Sequence, residues 1–234
     1  MIILTIIIAL LPGFAWLVFY LDEDPHPEPR RLIALAFCAG IVAGLFAIVI
    51  ERFFNKGIAG IGIGEFSIIS LLGLALIEEL LKFGAAYFAV NKDPRFTEPI
   101  DAMIYAIVAA LGFATLENIG TIVFAPQQAA FAIAAIQTSS LRFVGATLLH
   151  SLASGIVGYH WAHGIIRGKV VHYIASGLIV AAVLHAIFNY LILNYENITY
   201  SVIFLIIVGL FVLIDFEKIK AKPVNIINLS LIHI

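Results

Sequence analysis

Cysteine is nearly missing from this 234-residue chain: Cys38 stands alone. That excludes an internal disulfide framework and a zinc site built from cysteines. Charge is scarce as well. Asp, Glu, Lys and Arg make up 12% of residues, about half of what a soluble domain carries. With 13 basic against 15 acidic side chains the net charge is −2, so there is no basic footprint for nucleic acid. Proline is absent from the interior of the long apolar runs between residues 66 and 193, and no internal repeat appears. The broken helices and inverted repeats typical of secondary carriers therefore have no counterpart.

What is present is apolar sequence, 62% of the chain. A helix needs about 20 such residues to cross a bilayer, and seven runs qualify: Met1–Leu21, Leu32–Ile50, Phe66–Val90, Ile100–Phe124, Leu141–Ile165, Val170–Leu193 and Ile198–Ile214. The first has no basic n-region and no small-residue cleavage site, and reads as a retained helix rather than a signal peptide. The expectation is an all-α polytopic membrane protein of about seven transmembrane helices, four of them carrying the site. It forms one transmembrane domain over residues 1–214, with a motif-bearing core at 66–193 and a tail at 215–234. Glu51–Lys56 reads as an interfacial turn, Gly57–Gly64 as a connector, and Pro126–Ser140 as a weakly amphipathic surface helix. Gly40 and Gly44 form a small-residue face suited to close helix packing.

Orientation follows from the basic residues. Arg30, Arg31, Lys92, Arg95, Arg167, Lys169, Lys218, Lys220 and Lys222 fall on one side of a seven-span chain, and Arg52, Lys56 and Arg142 on the other. The positive-inside rule then puts the C-terminus in the cytoplasm and the N-terminus outside.

Against this background Glu78, Glu79 and Lys82 are conspicuous. Each would cost about 3 kcal/mol at the centre of a bilayer, and spanning a membrane calls for none of them. Glu78 and Lys82, four apart, share a helix face and can neutralise each other; Glu79 points elsewhere and needs another partner. The next spans add Glu117, His150 and His185. At about 1.5 Å per residue these three lie roughly 10–14 Å below the outer surface, and the Glu pair about 18–20 Å. Asn189 shares a face with His185. Unrelated polar groups would be scattered in depth, whereas these gather in one layer, the pattern of a functional site.

The order Glu78-Glu79-x-x-Lys82, Gly112-Phe113-x-x-x-Glu117-Asn118, His150, His185-x-x-x-Asn189 resembles the motifs of PrsW-type intramembrane proteases. That family is related to the CAAX-processing and bacteriocin-processing membrane proteases, whose folds typically have about eight spans. The resemblance covers about residues 74–190 and implies an intramembrane endopeptidase acting on membrane-anchored proteins, with anti-sigma-factor-like regulators as substrates, in a prokaryotic plasma membrane. The CAAX relatives match at the Glu pair and at His185 and Asn189, but have His where this chain has Glu117.

Two chemical routes fit the residues. In one, which the CAAX resemblance implies, Glu78 is the general base and His185 with Asn189 holds the oxyanion. In the other, Glu117, His150 and His185 form a His₂Glu zinc site, and a Glu of the pair deprotonates the bound water. Lys82 tunes the Glu pair in either. A proton- or ion-coupled carrier using the same Glu, His and Lys residues is the rival class. Other protease designs lack their signatures: there is no HExxH, Ser154-Gly155 lacks the glycine of GxSG, and Gly62-Ile63-Gly64-Glu65 only echoes GxGD.

The topology is testable by cysteine labelling on a Cys38→Ser background. A cysteine at position 93 should stay unmodified by a membrane-impermeant reagent in intact cells, and one at position 196 should react. Labelling at 93 alone would invert the assignment.

Overall fold

The computed structural model describes residues 2–24, 26–124 and 131–220. Among these there are eight helices and no strand: α1 (Ile2–Asp22), α2 (Arg30–Gly60), α3 (Ile68–Val90), α4 (Pro99–Val123), α5 (Phe131–Val144), α6 (Ala146–Arg167), α7 (Val170–Asn194) and α8 (Thr199–Lys220). Five helical stretches are long and apolar enough to cross a bilayer: α2, α4, α7, α8 and Ile136–Arg167, which joins the end of α5 to α6. α3 has 23 residues, and three charged side chains, Glu78, Glu79 and Lys82, interrupt its apolar character. The chain is a multi-pass, all-helical membrane protein.

α4 is the central post. Every residue from Pro99 to Thr115 is buried, including five alanines and Gly112. Small side chains let α2 approach closely, as they do in membrane helix pairs, where packing rather than the hydrophobic effect drives association. The α2 face that meets α4 is Ala36, Gly40, Ala43, Gly44 and Ala47, all buried. At the crossing a Cβ on Gly40 would stand 1.9 Å from the Ala109 carbonyl oxygen, and one on Gly112 would stand 2.0 Å from that of Phe37. Backbone against backbone leaves nothing to move aside, so glycine is required on both helices. At the start of α4, Asp101 Oδ2 accepts the backbone N–H groups of Thr97 and Glu98 at 2.8 and 2.9 Å, the capping role expected of an acidic residue there.

One block of aromatics closes the end of the bundle nearest the α3–α4 loop. Trp161 stacks on Phe96 with centroids 5.1 Å apart and meets Phe83 edge-on at 5.5 Å. These rings pack beside Lys82, whose neighbour in the chain is Phe83.

Several boundaries differ from the sequence expectation. α2 continues through Glu51–Lys56 to Gly60 rather than turning there, because nothing in that segment breaks the helix before the glycine-rich Gly60–Gly64. α8 runs past Ile214 to Lys220, where Lys220 Nζ pairs with Glu23 at 2.5 Å and Glu217 at 3.0 Å. The amphipathic stretch is α5 from Phe131 onward; residues 125–130 and 221–234, Lys222 included, lie outside the described residues.

Gly112→Ala should therefore destabilise the α2–α4 crossing by about 1–3 kcal/mol, the usual cost of overpacking. Thermal unfolding in detergent should show a lowered midpoint, while Gly57→Ala, with open space around it, should leave the midpoint unmoved.

Candidate active site

Four helices bring their polar residues to one point. α3 supplies Glu78, Glu79 and Lys82; α4 supplies Glu117; α6 supplies His150; α7 supplies His185. Lys82 is the hub, its side chain fully buried. Its ammonium donates to Glu79 Oε1 at 2.6 Å and to His150 Nδ1 at 2.9 Å, and lies 5.4 Å from the centre of the Phe113 ring. The same Glu79 oxygen accepts from His185 Nδ1 at 2.8 Å. The lysine's carboxylate partner is thus Glu79, three residues back, rather than Glu78, four back. Both spacings share a helix face, and the histidine opposite Glu79 completes that choice.

These contacts fix the imidazole tautomers. An ammonium has only donors and a carboxylate only acceptors. His150 Nδ1 facing Lys82 must accept, so Nε2 carries the hydrogen and donates it to Glu117 Oε2 at 2.9 Å. His185 Nδ1 donates to Glu79, so its Nε2 presents a lone pair. Glu78 Oε2 lies 3.8 Å from both His150 Nδ1 and His185 Nε2. It is buried and has no hydrogen-bond donor among the described residues. One carboxylate oxygen and two imidazole lone pairs therefore converge with a single ammonium between them.

Burial runs in a gradient across the site. The side chains of Glu79 and Lys82 are 0% exposed, those of His150 and His185 2% and 3%, Glu78 10%, and Glu117 33%. Two residues that sequence reasoning did not assign to the site join it at the open end. Arg142 of α5 donates to Glu117 Oε2 at 3.0 Å and to Asn118 Oδ1. Glu51, half-buried on α2, lies within electrostatic range of Glu117 and Lys82. A lone cation among apolar neighbours in the run from Leu141 was the available signal for Arg142. Glu51 falls where an interfacial turn was expected, which masked it. Asn189, one turn beyond His185 and half-buried, is outside this hydrogen-bonded network.

The sequence pattern described as PrsW family intramembrane metalloprotease matches residues 28–214, most of the chain. The chain belongs to the PrsW family. Among similar proteins is Protease PrsW of Geobacillus kaustophilus, 32% identical over 152 residues, which cover 64% of this chain and 61% of that protein. Protease PrsW of Bacillus subtilis is 31% identical over 135 residues, 57% of this chain and 61% of the relative. That of Clostridioides difficile is 32% identical over 116 residues, 49% and 48%. The chain thus spans about three fifths of the length of the first two. No solved structure matches it.

The PrsW description implies a metal, and the donor set fits one. Among the described residues, the group whose ligand atoms lie within 4.8 Å of one another is Glu78, His150 and His185. Glu117 stands on the far edge of His150, at the nitrogen that faces away from Glu78. Ligands of a tetrahedral ion with bonds of about 2.1 Å are about 3.4 Å apart, somewhat less than the 3.8 Å from Glu78 to each histidine. Glu79 and Glu117, each bonded to the outer nitrogen of one histidine, stand where carboxylates commonly orient ligating imidazoles.

Breaking the Lys82–Glu79 pair should be costly, since removing one partner of a buried ion pair typically destabilises by about 3–5 kcal/mol. Lys82→Met should lower stability strongly in a detergent denaturation followed by tryptophan fluorescence. The double variant Lys82→Met/Glu79→Gln should recover much of that loss. Equal stability of the single and double variants would mean that the pair is not what holds the helices.

Proposed function

We propose that this chain is an intramembrane endopeptidase that hydrolyses a peptide bond of membrane-anchored proteins, with Glu78 at the centre of its chemistry. The observation that carries this reading is the free Glu78 Oε2, buried and 3.8 Å from an imidazole nitrogen on either side. Peptide hydrolysis needs a water stripped of a proton, a stabiliser for the oxyanion, and an acid for the leaving amine. A water in this gap would give a proton to Glu78 while its oxygen adds to the substrate carbonyl carbon. As the tetrahedral adduct collapses the C–N bond breaks, and Glu78 returns the proton to the leaving nitrogen. Glu79 holds His185, and Glu117 holds His150, each through one ring nitrogen. Asn189 would offer an N–H to the oxyanion, a role that His185 could share only after gaining a proton at Nε2.

The residues that would hold a divalent cation are Glu78, His150 and His185, in place of the Glu117 set expected from sequence. Two imidazoles and a carboxylate favour zinc, which when bound would polarise the carbonyl and acidify its water. Serving as a ligand and serving as the base are exclusive uses of Glu78. The hydrogen bond from Lys82 to His150 Nδ1 supports the metal-free use, because it occupies a lone pair that a cation would need.

The wider setting belongs to the same proposal. The transmembrane unit over residues 1–214 lies in a prokaryotic plasma membrane, N-terminus outside and C-terminus cytoplasmic, and its substrates are membrane-anchored regulators of the anti-sigma-factor kind.

Reconstitution in proteoliposomes with single-pass substrates tests this reading. Glu78→Gln should reduce kcat/KM by more than about 10³, Glu79→Gln nearly as much, and Asn189→Ala by about 10²–10³ if it is one oxyanion donor. In the metal-held form the wild type contains close to one zinc, Glu78→Gln contains less, and a strong chelator abolishes cleavage. Full cleavage by a verified metal-free sample would leave Glu78 as the base, and intact substrates throughout would overturn the peptidase.

A further inference from the structure

The guanidinium of Arg142 sits on α5, a helix that carries no other member of the site, yet it reaches across to α4. Its Nη2 donates to Glu117 Oε2 at 3.0 Å, and its Nε donates to Asn118 Oδ1. Asn118 is fully buried and cannot yield: its Nδ2 is held by Thr147 Oγ1 at 3.2 Å and the Ala9 carbonyl at 3.3 Å. The Glu117 oxygen that accepts from Arg142 is the same one that accepts from His150 Nε2. A rigid amide thus aims the arginine, the arginine aims the carboxylate, and the carboxylate aims the imidazole. We propose that Arg142 is a positioning residue, which through Glu117 holds the His150 ring in the orientation that keeps its Nδ1 between Lys82 and Glu78.

The surroundings give that cation work to do. Glu117 has Glu51 and Glu78 as like-charged neighbours, and its side chain is 33% exposed, so it has room to swing away from His150. Arg142, 18% exposed, holds it against that repulsion. α5 is itself moored to α1: Ser139 Oγ donates to the Ile8 carbonyl at 2.9 Å, and Trp16 Nε1 donates to that of Phe143 at 2.9 Å. Gly145, with backbone angles of −113° and −104°, separates α5 from α6 and lets α5 lean toward α1 instead of continuing the His150 helix. The position of His150 is therefore set partly by a helix outside the four that carry the reacting groups.

The consequence for His150 is geometric. Without the Glu117 acceptor, the ring is held at Nδ1 alone, by Lys82, and is free to turn about that bond and change the distance from Nδ1 to Glu78. The inference rests on the peptidase reading only for its effect on turnover. The ring orientation itself is independent of it.

Two measurements on the full chain in lipid nanodiscs test it. In ¹⁵N-histidine long-range correlation spectra, with His150 identified by the signal lost in His150→Gln, the wild type should show the Nε2–H form. Arg142→Gln, similar in length but uncharged, should shift and broaden the Nε2–H signal as its bond to Glu117 weakens, and Arg142→Lys should restore much of the original signal. Should Arg142→Gln not fold, Arg142→Lys with and without added guanidinium carries the comparison. With a cleavable substrate, Arg142→Gln should lower kcat about ten- to a hundredfold, the usual effect of losing a group that orients a ligand or catalytic histidine. KM should be unchanged, and added guanidinium should recover part of the rate. An unaltered His150 Nε2–H signal in Arg142→Gln overturns the positioning role. A changed signal in a chain that cleaves nothing leaves that role standing and removes only the peptidase.

Discussion

A single ammonium holds the structure of this site together. Lys82 is fully buried among largely apolar helices, and an uncompensated charge there would be expensive in any medium of low dielectric. Its compensation comes from Glu79 on its own helix and His150 on α6, and Glu79 in turn takes His185 from α7. Three helices are tied through one lysine and one carboxylate oxygen. The Phe113 ring of α4 covers the lysine's remaining side, so the central post also contributes to screening it.

The fold makes this convergence feasible by using the smallest side chains where helices cross and reserving large ones for the plug beneath the site. α4 can be surrounded because alanines and Gly112 line it, and α2 can lie against it because Gly40 offers no side chain. That places Glu117 within reach of α6 while Trp161, Phe96 and Phe83 fill the opposite end.

Much of this was legible in the sequence for a simple reason: helical rise converts position in a span into depth. Counting residues put Glu78, Glu79, Glu117, His150 and His185 in adjoining layers, and the structure brings them into hydrogen-bonding or near-contact range. Rotation about each helix axis was not legible, because apolar residues surround these polar positions on all faces and leave no amphipathic stripe to orient them. That is why the sequence offered Glu117 beside the two histidine lone pairs, where the structure has Glu78, and paired Lys82 with Glu78 rather than Glu79. Arg142 was hidden differently. The run from Leu141 reads as one span, and only the local geometry at Gly145 turns its first residues into a separate helix aimed at α1. Glu51 was lost to a boundary, since α2 runs to Gly60, nearly three turns beyond the Ile50 end that the polar residues suggested.

The burial gradient has a further meaning for how such a centre communicates with its surroundings. From Glu117, one-third exposed, through Glu78 to Glu79 and Lys82, both sealed, exposure falls steadily inward. The carboxylate at the edge is the member whose charge follows its surroundings most closely, and the inner ion pair is the one best shielded from them. The cluster is therefore graded in sensitivity: a change of salt or acidity is felt first at Glu117 and last at Lys82.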